Sequence, residues 1–316
     1  MSESTQLKKL RILWHVQSYL PMAKSGSEWN AHEINKWLMS RGHVVKVMTS
    51  KQNDENYEYG GIHVFNRSHN WYFHHDWADI IFTQLDFAGD VAMDCKQSNK
   101  PAVWFAHNTF MYSSVRTHRQ LNVVYNSLWN SEVCKYANNG FVLPPPVDIA
   151  HYRVQKGDKI ALINLNNNKG ANMFYQIAEA MPDRQFLGVQ GGYGQQIYKE
   201  LPNVEFLANQ SDIRIAYRKT KILLMPSQYE SWGRTATEAM ASGIPVICSD
   251  LPGLRENCSD AATYCKPDRL DEWIRAIRNV EENYEICSTK ALHRANELIP
   301  EKNLINFEQW VTHLTS

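Results

Sequence analysis

Short apolar runs alternate along this 316-residue chain with longer stretches in which apolar residues return at helical spacing. Residues 10–16, Leu-Arg-Ile-Leu-Trp-His-Val, read as a first strand, followed by a loop to Ser27 that contains Pro21 and Gly26. From Glu28 the positions Trp29, Ile34, Trp37 and Leu38 recur with helical period up to Gly42, a natural stop, and residues 44–48 form the next strand. A β-α-β opening of this kind predicts a doubly wound parallel sheet. Further strands are expected at 62–65, 80–83, 102–106, 123–125 and 141–143. The aromatic and histidine stretch of His69, Trp71, Tyr72, Phe73, His74, His75 and Trp77 reads as a loop packing its rings on the domain.

Three consecutive prolines, Pro144 to Pro146, break the pattern and place a domain junction around 144–156. The pattern restarts with a strand at 159–165, the polar loop Asn166 to Gly170, and a helix through Phe174, Ile177 and Ala178. Strands at 185–189 and 204–207 flank the permissive loop Gly191-Gly192-Tyr193-Gly194, which lacks the context of a dinucleotide fingerprint. A β-α-β unit spans 222–248: apolar run, loop and helix, a stop at Gly243, and a second run after Pro245. A turn at 250–254, a short edge at 261–264, a helix at 270–283 and, after Pro300, a last helix at 304–314 complete the chain. The expected division is 1–147, 148–298, and a terminal helix at 299–316 packing back on the first domain.

Composition narrows the partners. Lys plus Arg equals Asp plus Glu at 33 each, so no bulk charge favours nucleic acid or an anionic membrane, and 43% apolar residues can furnish two cores. The six cysteines form no Cys-x-x-Cys pair, the first ten residues carry no apolar leader, and no apolar run is long enough to span a bilayer. The expectation is a soluble cytoplasmic protein without an integral membrane segment.

The densest chemistry lies in Tyr229-Glu230-Ser231-Trp232-Gly233-Arg234-Thr235-Ala236-Thr237-Glu238. Two carboxylates bracket a helix start at which Gly233 permits close backbone approach. Such a start favours phosphate, and carboxylates accept hydrogen bonds from sugar hydroxyls. The plain alternative has Glu230 merely complementing the helix dipole, worth about 0.3–1 kcal/mol, and Glu238 solvated. Lys169, in the first loop of the second domain, is placed to pair with phosphate. His107 follows a strand at the end where open α/β sheets bind ligands, and an imidazole there can hold or take a hydroxyl proton. The histidines at 69–75 lack ligand spacing on one face, so no metal site is expected.

Taken together, Pro226-Ser227-x-x-Glu230-x-x-Gly233-Arg234-x-x-x-Glu238-Ala239-x-x-x-Gly243-x-Pro245-Val246 resembles the Glu-x7-Glu motif of the retaining nucleotide-sugar glycosyltransferases of family 4. Tyr19-x-Pro21, Gly26-x-Glu28, Arg41-Gly42-His43-x-Val45, Asn126-Ser127, Pro145-Pro146-Val147-Asp148 and Lys169-Gly170 also resemble stretches of that family. The resemblance implies the GT-B architecture, α/β with two doubly wound Rossmann-like domains facing across a cleft. It implies Glu230 on the donor sugar's hydroxyls, Glu238 on the ribose, and the backbone of Gly233 to Thr235, beside Trp232, with Lys169 on the diphosphate. Gly26 and Ser27 would close over the donor from the first domain, and His107, with Glu230, would serve the reacting centre. Where many members carry an arginine just before the lysine, this chain has Asn164 and Asn166; Arg234 is expected to supply the missing cation.

The implied reaction is transfer of a sugar from a UDP- or GDP-sugar to an acceptor hydroxyl, with no cofactor and no metal, since no Asp-x-Asp pair is present. The acceptor class stays open: a small molecule, a glycan, a lipid-linked glycan, or a hydroxymethylated base in DNA, for which the basic segment Arg116 to Arg119 speaks. A nucleotide-sugar epimerase and a catalytically silent nucleotide-sugar-binding partner are the alternatives from other classes.

Overall fold

The computed structural model describes residues 8–50, 55–67, 71–85, 88–110, 121–134 and 139–316. The chain forms two compact units, one of Met1–Pro146 with Pro300–Ser316 and one of Val147–Ile299. Among the described residues of the first, the strands are β1 (Arg11–Val16), β2 (Val44–Thr49), β3 (Tyr57–Tyr59), β4 (Ile62–Asn66), β5 (Ile80–Gln84), β6 (Ala102–Ala106), β7 (Asn122–Tyr125) and β8 (Gly140–Val142). They lie in the order β3-β4-β2-β1-β5-β6-β7-β8, parallel throughout except where β3 meets β4.

Every residue of β5 and β6 is buried, as expected of strands covered on both faces. The two-residue period of β1 divides its side chains between those faces. Ile12, Trp14 and Val16 join Ile34 and Leu38 of the Gly26–Ser40 helix and Leu304, Phe307 and Val311 of the Glu301–His313 helix, while Leu13 packs with Val91, Cys95 and Trp104. The chain's last helix thus belongs to the first unit's core.

A buried polar tie fixes that helix. The Leu10 backbone N–H donates to His43 Nδ1 at 3.1 Å, so His43 Nε2 carries the proton and donates to Glu308 Oε1 at 3.0 Å. Arg41 Nε donates to the other oxygen at 3.1 Å. The Arg41-Gly42-His43 stretch therefore anchors an element more than 250 positions away in sequence.

The second unit holds β9 (Lys159–Ile163), β10 (Phe186–Val189), β11 (Val204–Leu207), β12 (Thr220–Met225), β13 (Val246–Ser249) and β14 (Ala262–Cys265), all parallel, in the order β11-β10-β9-β12-β13-β14. From β9 the chain winds outward through β10 and β11; it then returns to pair β12 beside β9, Ile160 opposite Ile222 and Leu162 opposite Leu224, and winds the other way. The reversal between β9 and β12 opens a crevice at their carboxyl ends, where doubly wound sheets take ligands.

Several elements differ from the sequence reading. The expected loop at 69–77 holds a helix, Trp71–Trp77, with His69 outside the described residues. The expected turn at 250–254 opens the Pro252–Cys258 helix, because a proline at the first helical position loses no hydrogen bond. Helical segments Ala88–Gln97, Leu128–Cys134 and Tyr284–Glu297 also appear. The last follows the Leu270–Glu282 helix after one break at Asn283, too short an interruption to mark in the hydrophobic pattern. The basic segment Arg116 to Arg119 lies outside the described residues.

Candidate functional site

Three loops at the carboxyl ends of β9, β10 and β12 build the site of the second unit. The loop after β9 is pinned to the loop after β12 at two points. Gly170, at φ +84°, lies so close to Pro226 that a Cβ would meet the carbonyl oxygen at 2.1 Å, and the Gln228 N–H donates to Asn168 O at 2.9 Å. That approach brings Lys169 Nζ to Glu230 Oε1 at 2.5 Å, with the Ser227 hydroxyl donating to the same oxygen at 3.0 Å. Burial pulls the Lys169 ammonium down, but Glu230 and Tyr193 outweigh it and hold its pKa above the ordinary lysine value. Lys169 is therefore charged at neutral pH.

Glu238 is engaged on both oxygens. Arg234, one turn earlier on the Arg234–Met240 helix, donates Nε to Oε1 at 2.7 Å, and the Tyr217 hydroxyl donates to Oε2 at 2.7 Å. Arg234 also reaches Tyr152 Oη at 3.3 Å, with its guanidinium 5.9 Å from that ring's centroid. Only 9% of the Arg234 side chain is exposed, and 7% of that of Glu238. Burial, reinforced by Glu238, raises the Tyr217 phenol well above its ordinary pKa, so it remains a donor.

The turn between the two acids is set by fit. Gly233 sits at φ +83°, and a Cβ there would lie 2.5 Å from Leu254 Cδ2. Asn257 Nδ2 donates to the carbonyls of Trp232 and Gly233, both at 3.0 Å, while its Oδ1 accepts from the Thr237 hydroxyl at 2.9 Å. Gly253 packs on the same turn, where a Cβ would meet Glu230 O at 2.5 Å. Trp232 is buried, and its indole N–H has no acceptor among the described residues. Thr235, half-buried, turns its hydroxyl to Met225 Sδ at 3.7 Å.

The remaining site candidates belong to the first unit. Gly26 and Ser27 begin the Gly26–Ser40 helix after β1, and the Ser27 hydroxyl donates to Glu28 Oε2 at 3.0 Å, an oxygen that also accepts from Ser25. His107 stands directly after β6, its Nε2 2.9 Å from Gln84 Oε1, which makes Nε2 the protonated nitrogen. Burial pushes its pKa down to about 4, so the ring is neutral at pH 7 and suited to hydrogen bonding more than to taking a proton. In the same unit His75 meets His15 of β1 and Asp94, with one candidate ligand atom of each within 4.8 Å of the others; the Arg67 guanidinium, 4.0 Å from Asp94, supplies a cation to that carboxylate.

The structure thus brings Lys169 to Glu230 and Arg234 to Glu238. Sequence reasoning passed over Tyr152, Tyr217, Ser227, Gly253 and Asn257. Ser227, three positions before Glu230 in the quoted motif, carried a local signal; the two tyrosines arrive from separate short helices, Ile149–Tyr152 and Arg214–Tyr217, and had none.

Comparison with known proteins bears on the fold and on the second unit. Along nearly the whole chain the fold is that of solved GT-B structures with two Rossmann-like units. Sucrose-phosphate synthase from Thermosynechococcus elongatus aligns over 96% of this chain and 99% of its own with a TM-score of 0.80 at 14% identity. The Anabaena protein HepE, solved in complex with UDP-glucose, aligns over 95% and 97% with a TM-score of 0.77 at 17% identity. Residues 158–297, which lie within the second unit, match the family model of glycosyl transferases group 1. An O-antigen chain mannosyltransferase, RfbU, of Salmonella typhimurium is 35% identical over 101 residues, 32% of this chain. A D-inositol 3-phosphate glycosyltransferase of Corynebacterium kroppenstedtii is 35% identical over 83 residues, 25% of this chain. The matched stretches span only 27% and 18% of those relatives' own lengths.

Proposed function

We propose that this protein is a glycosyltransferase of the retaining, family 4 type, which moves a sugar from a nucleoside-diphosphate sugar to an acceptor hydroxyl without a metal. The observation that carries the proposal is the Lys169–Glu230 ion pair at the crevice between β9 and β12. A cation and an acid held 2.5 Å apart there offer one group to each half of a sugar phosphate. When the donor enters, its diphosphate takes over Lys169, and Glu230, released from the ammonium, accepts hydrogen bonds from the sugar's hydroxyls. Glu238, held in orientation by Arg234 and Tyr217, addresses the ribose. The backbone N–H groups of Gly233 to Thr235, beside Trp232, add to the phosphate contacts. Arg234, expected from the sequence to bind phosphate, is committed to Glu238 and Tyr152, which favours a positioning role.

In the reaction the bond between the anomeric carbon and the phosphate oxygen breaks, and the acceptor oxygen bonds to that carbon on the same face. The acceptor's proton passes to the departing phosphate. Lys169 stabilises the charge that develops there. Neutral His107 is suited to holding a hydroxyl by hydrogen bonding. Support for a nucleotide-sugar donor comes from HepE, whose structure contains UDP-glucose. Among the described residues no helix is long and apolar enough to cross a membrane.

Incubation with UDP- and GDP-sugars tests this reading. Slow release of free sugar with the donor's anomeric configuration is expected, insensitive to EDTA and lost in Glu230→Ala. An altered nucleotide sugar would mean an epimerase, and binding without turnover a silent partner.

A further inference from the structure

The two asparagines that stand in place of the family's arginine have a structural occupation. Asn166 Oδ1 accepts from the Lys169 N–H at 2.9 Å, and its Nδ2 reaches the Tyr193 carbonyl at 3.4 Å. Gln196 completes the lacing: its Nε2 donates to Asn164 Oδ1 at 2.9 Å and to Tyr193 O at 3.0 Å, while its Oε1 accepts from Gly191 N at 2.9 Å and Leu165 N at 3.0 Å. Two glycines of the loop after β10, Gly191 and Gly194, are required by this contact. A Cβ on Gly191 would meet Asn164 Cγ at 2.0 Å, and one on Gly194, at φ +77°, would meet Asn166 Nδ2 at 2.8 Å. The Gly191-Gly192-Tyr193-Gly194 loop is thereby fastened beside Lys169, with Tyr193 49% exposed.

We propose that Tyr193 is a donor-binding residue whose phenol O–H, together with the Lys169 ammonium, binds the donor phosphate that adjoins the sugar, in place of the absent arginine. The phosphate next to the sugar is singled out because Lys169 touches Glu230, the acid assigned to the sugar, whereas the acid assigned to the ribose pairs with Arg234. Burial lowers the Lys169 pKa, but Glu230 first and Tyr193 after it hold the ammonium above its ordinary value. A neutral donor beside one cation suits the singly charged phosphate diester next to the sugar, since the phenol adds a hydrogen bond to a phosphoryl oxygen without adding charge. The assignment rests on the donor-site reading above, and the test separates the two.

Binding of UDP, GDP and ADP, and of the corresponding monophosphates, is measured by calorimetry on the full chain and on Tyr193→Phe and Lys169→Ala. Tyr193→Phe is expected to weaken nucleoside diphosphate binding about tenfold, the loss of one hydrogen bond to a charged group. Monophosphate affinity and melting temperature should not change. Diphosphate affinity equal to wild type in Tyr193→Phe but reduced in Lys169→Ala overturns the role of Tyr193 and leaves the donor site standing. A wild-type chain that binds none of the diphosphates, or a Lys169→Ala variant that binds them unchanged, removes the donor site and this inference together. Equal loss for mono- and diphosphates in Tyr193→Phe would place Tyr193 on the nucleoside or its inner phosphate and contradict the assignment.

Discussion

Arg234, expected on the donor phosphate, is paired in the structure with Glu238 and Tyr152. Its guanidinium lies against Glu238 and Tyr152 with little exposure, so removing it strips a buried carboxylate of its cation. Arg234→Ala is expected to cost about 3 kcal/mol in urea unfolding, with Arg234→Lys recovering part of it. A loss below about 1 kcal/mol would mean that Glu238 does not depend on this pair. Gly233 makes a complementary case. A side chain there must adopt a left-handed conformation at φ +83° and displace Leu254, so Gly233→Ala should destabilise by about 1–3 kcal/mol and weaken donor binding, read by melting and by titration. Wild-type stability in that variant would show that the turn can relax. At this scale Glu230, Glu238 and Gly233 could be singled out in the sequence because motif spacing along one β-α-β unit places them, and Lys169 because it lies in the loop after the first strand of the second unit. Tyr217 and Tyr152 could not, since each reaches the pair by a fold-level approach that leaves no periodic trace.

Among the elements, the Glu301–His313 helix matters most to the first unit. Phe307 packs against Phe82, Phe105 and Phe141 with ring centroids 6.0, 5.9 and 5.8 Å apart. Phe307→Ala is expected to cost about 3–5 kcal/mol, with amide exchange protection falling in β1, β5 and β6 but not in β9 to β14. Uniform loss across both sheets would contradict the assignment of this helix to the first unit. The strands were legible because parallel strands buried on both faces leave short continuous apolar runs. Weakly patterned helices were not: Trp71–Trp77 is short and rich in aromatics, and Tyr284–Glu297 follows its neighbour almost without interruption.

At the scale of the whole molecule, acid should be the principal stress. Burial pushes His32 and His75 each down to about 4, and lowers His15 well below its ordinary value. The unfolded chain protonates these rings near pH 6.5, so between pH 6.5 and 4 it binds protons the folded chain refuses, and stability falls as pH falls. The contribution is fully present above pH 6.5 and on the order of 3 kcal/mol for each of His32 and His75 at most. The melting temperature should therefore drop steadily from pH 7 to pH 4.5; a flat profile would mean that these histidines are hydrated. Net charge, formally zero, gave no guide to partners at this scale, and the function rests on the local pairs in the second unit. The most direct measurement is a thermal-shift titration of UDP- and GDP-sugars against wild type, Lys169→Ala and Glu230→Gln. A donor at 100 times its dissociation constant should raise wild-type stability by about 2.7 kcal/mol and leave both folded variants nearly unshifted. No shift with any nucleotide sugar, or equal shifts in all three proteins, would contradict a donor site at Lys169 and Glu230.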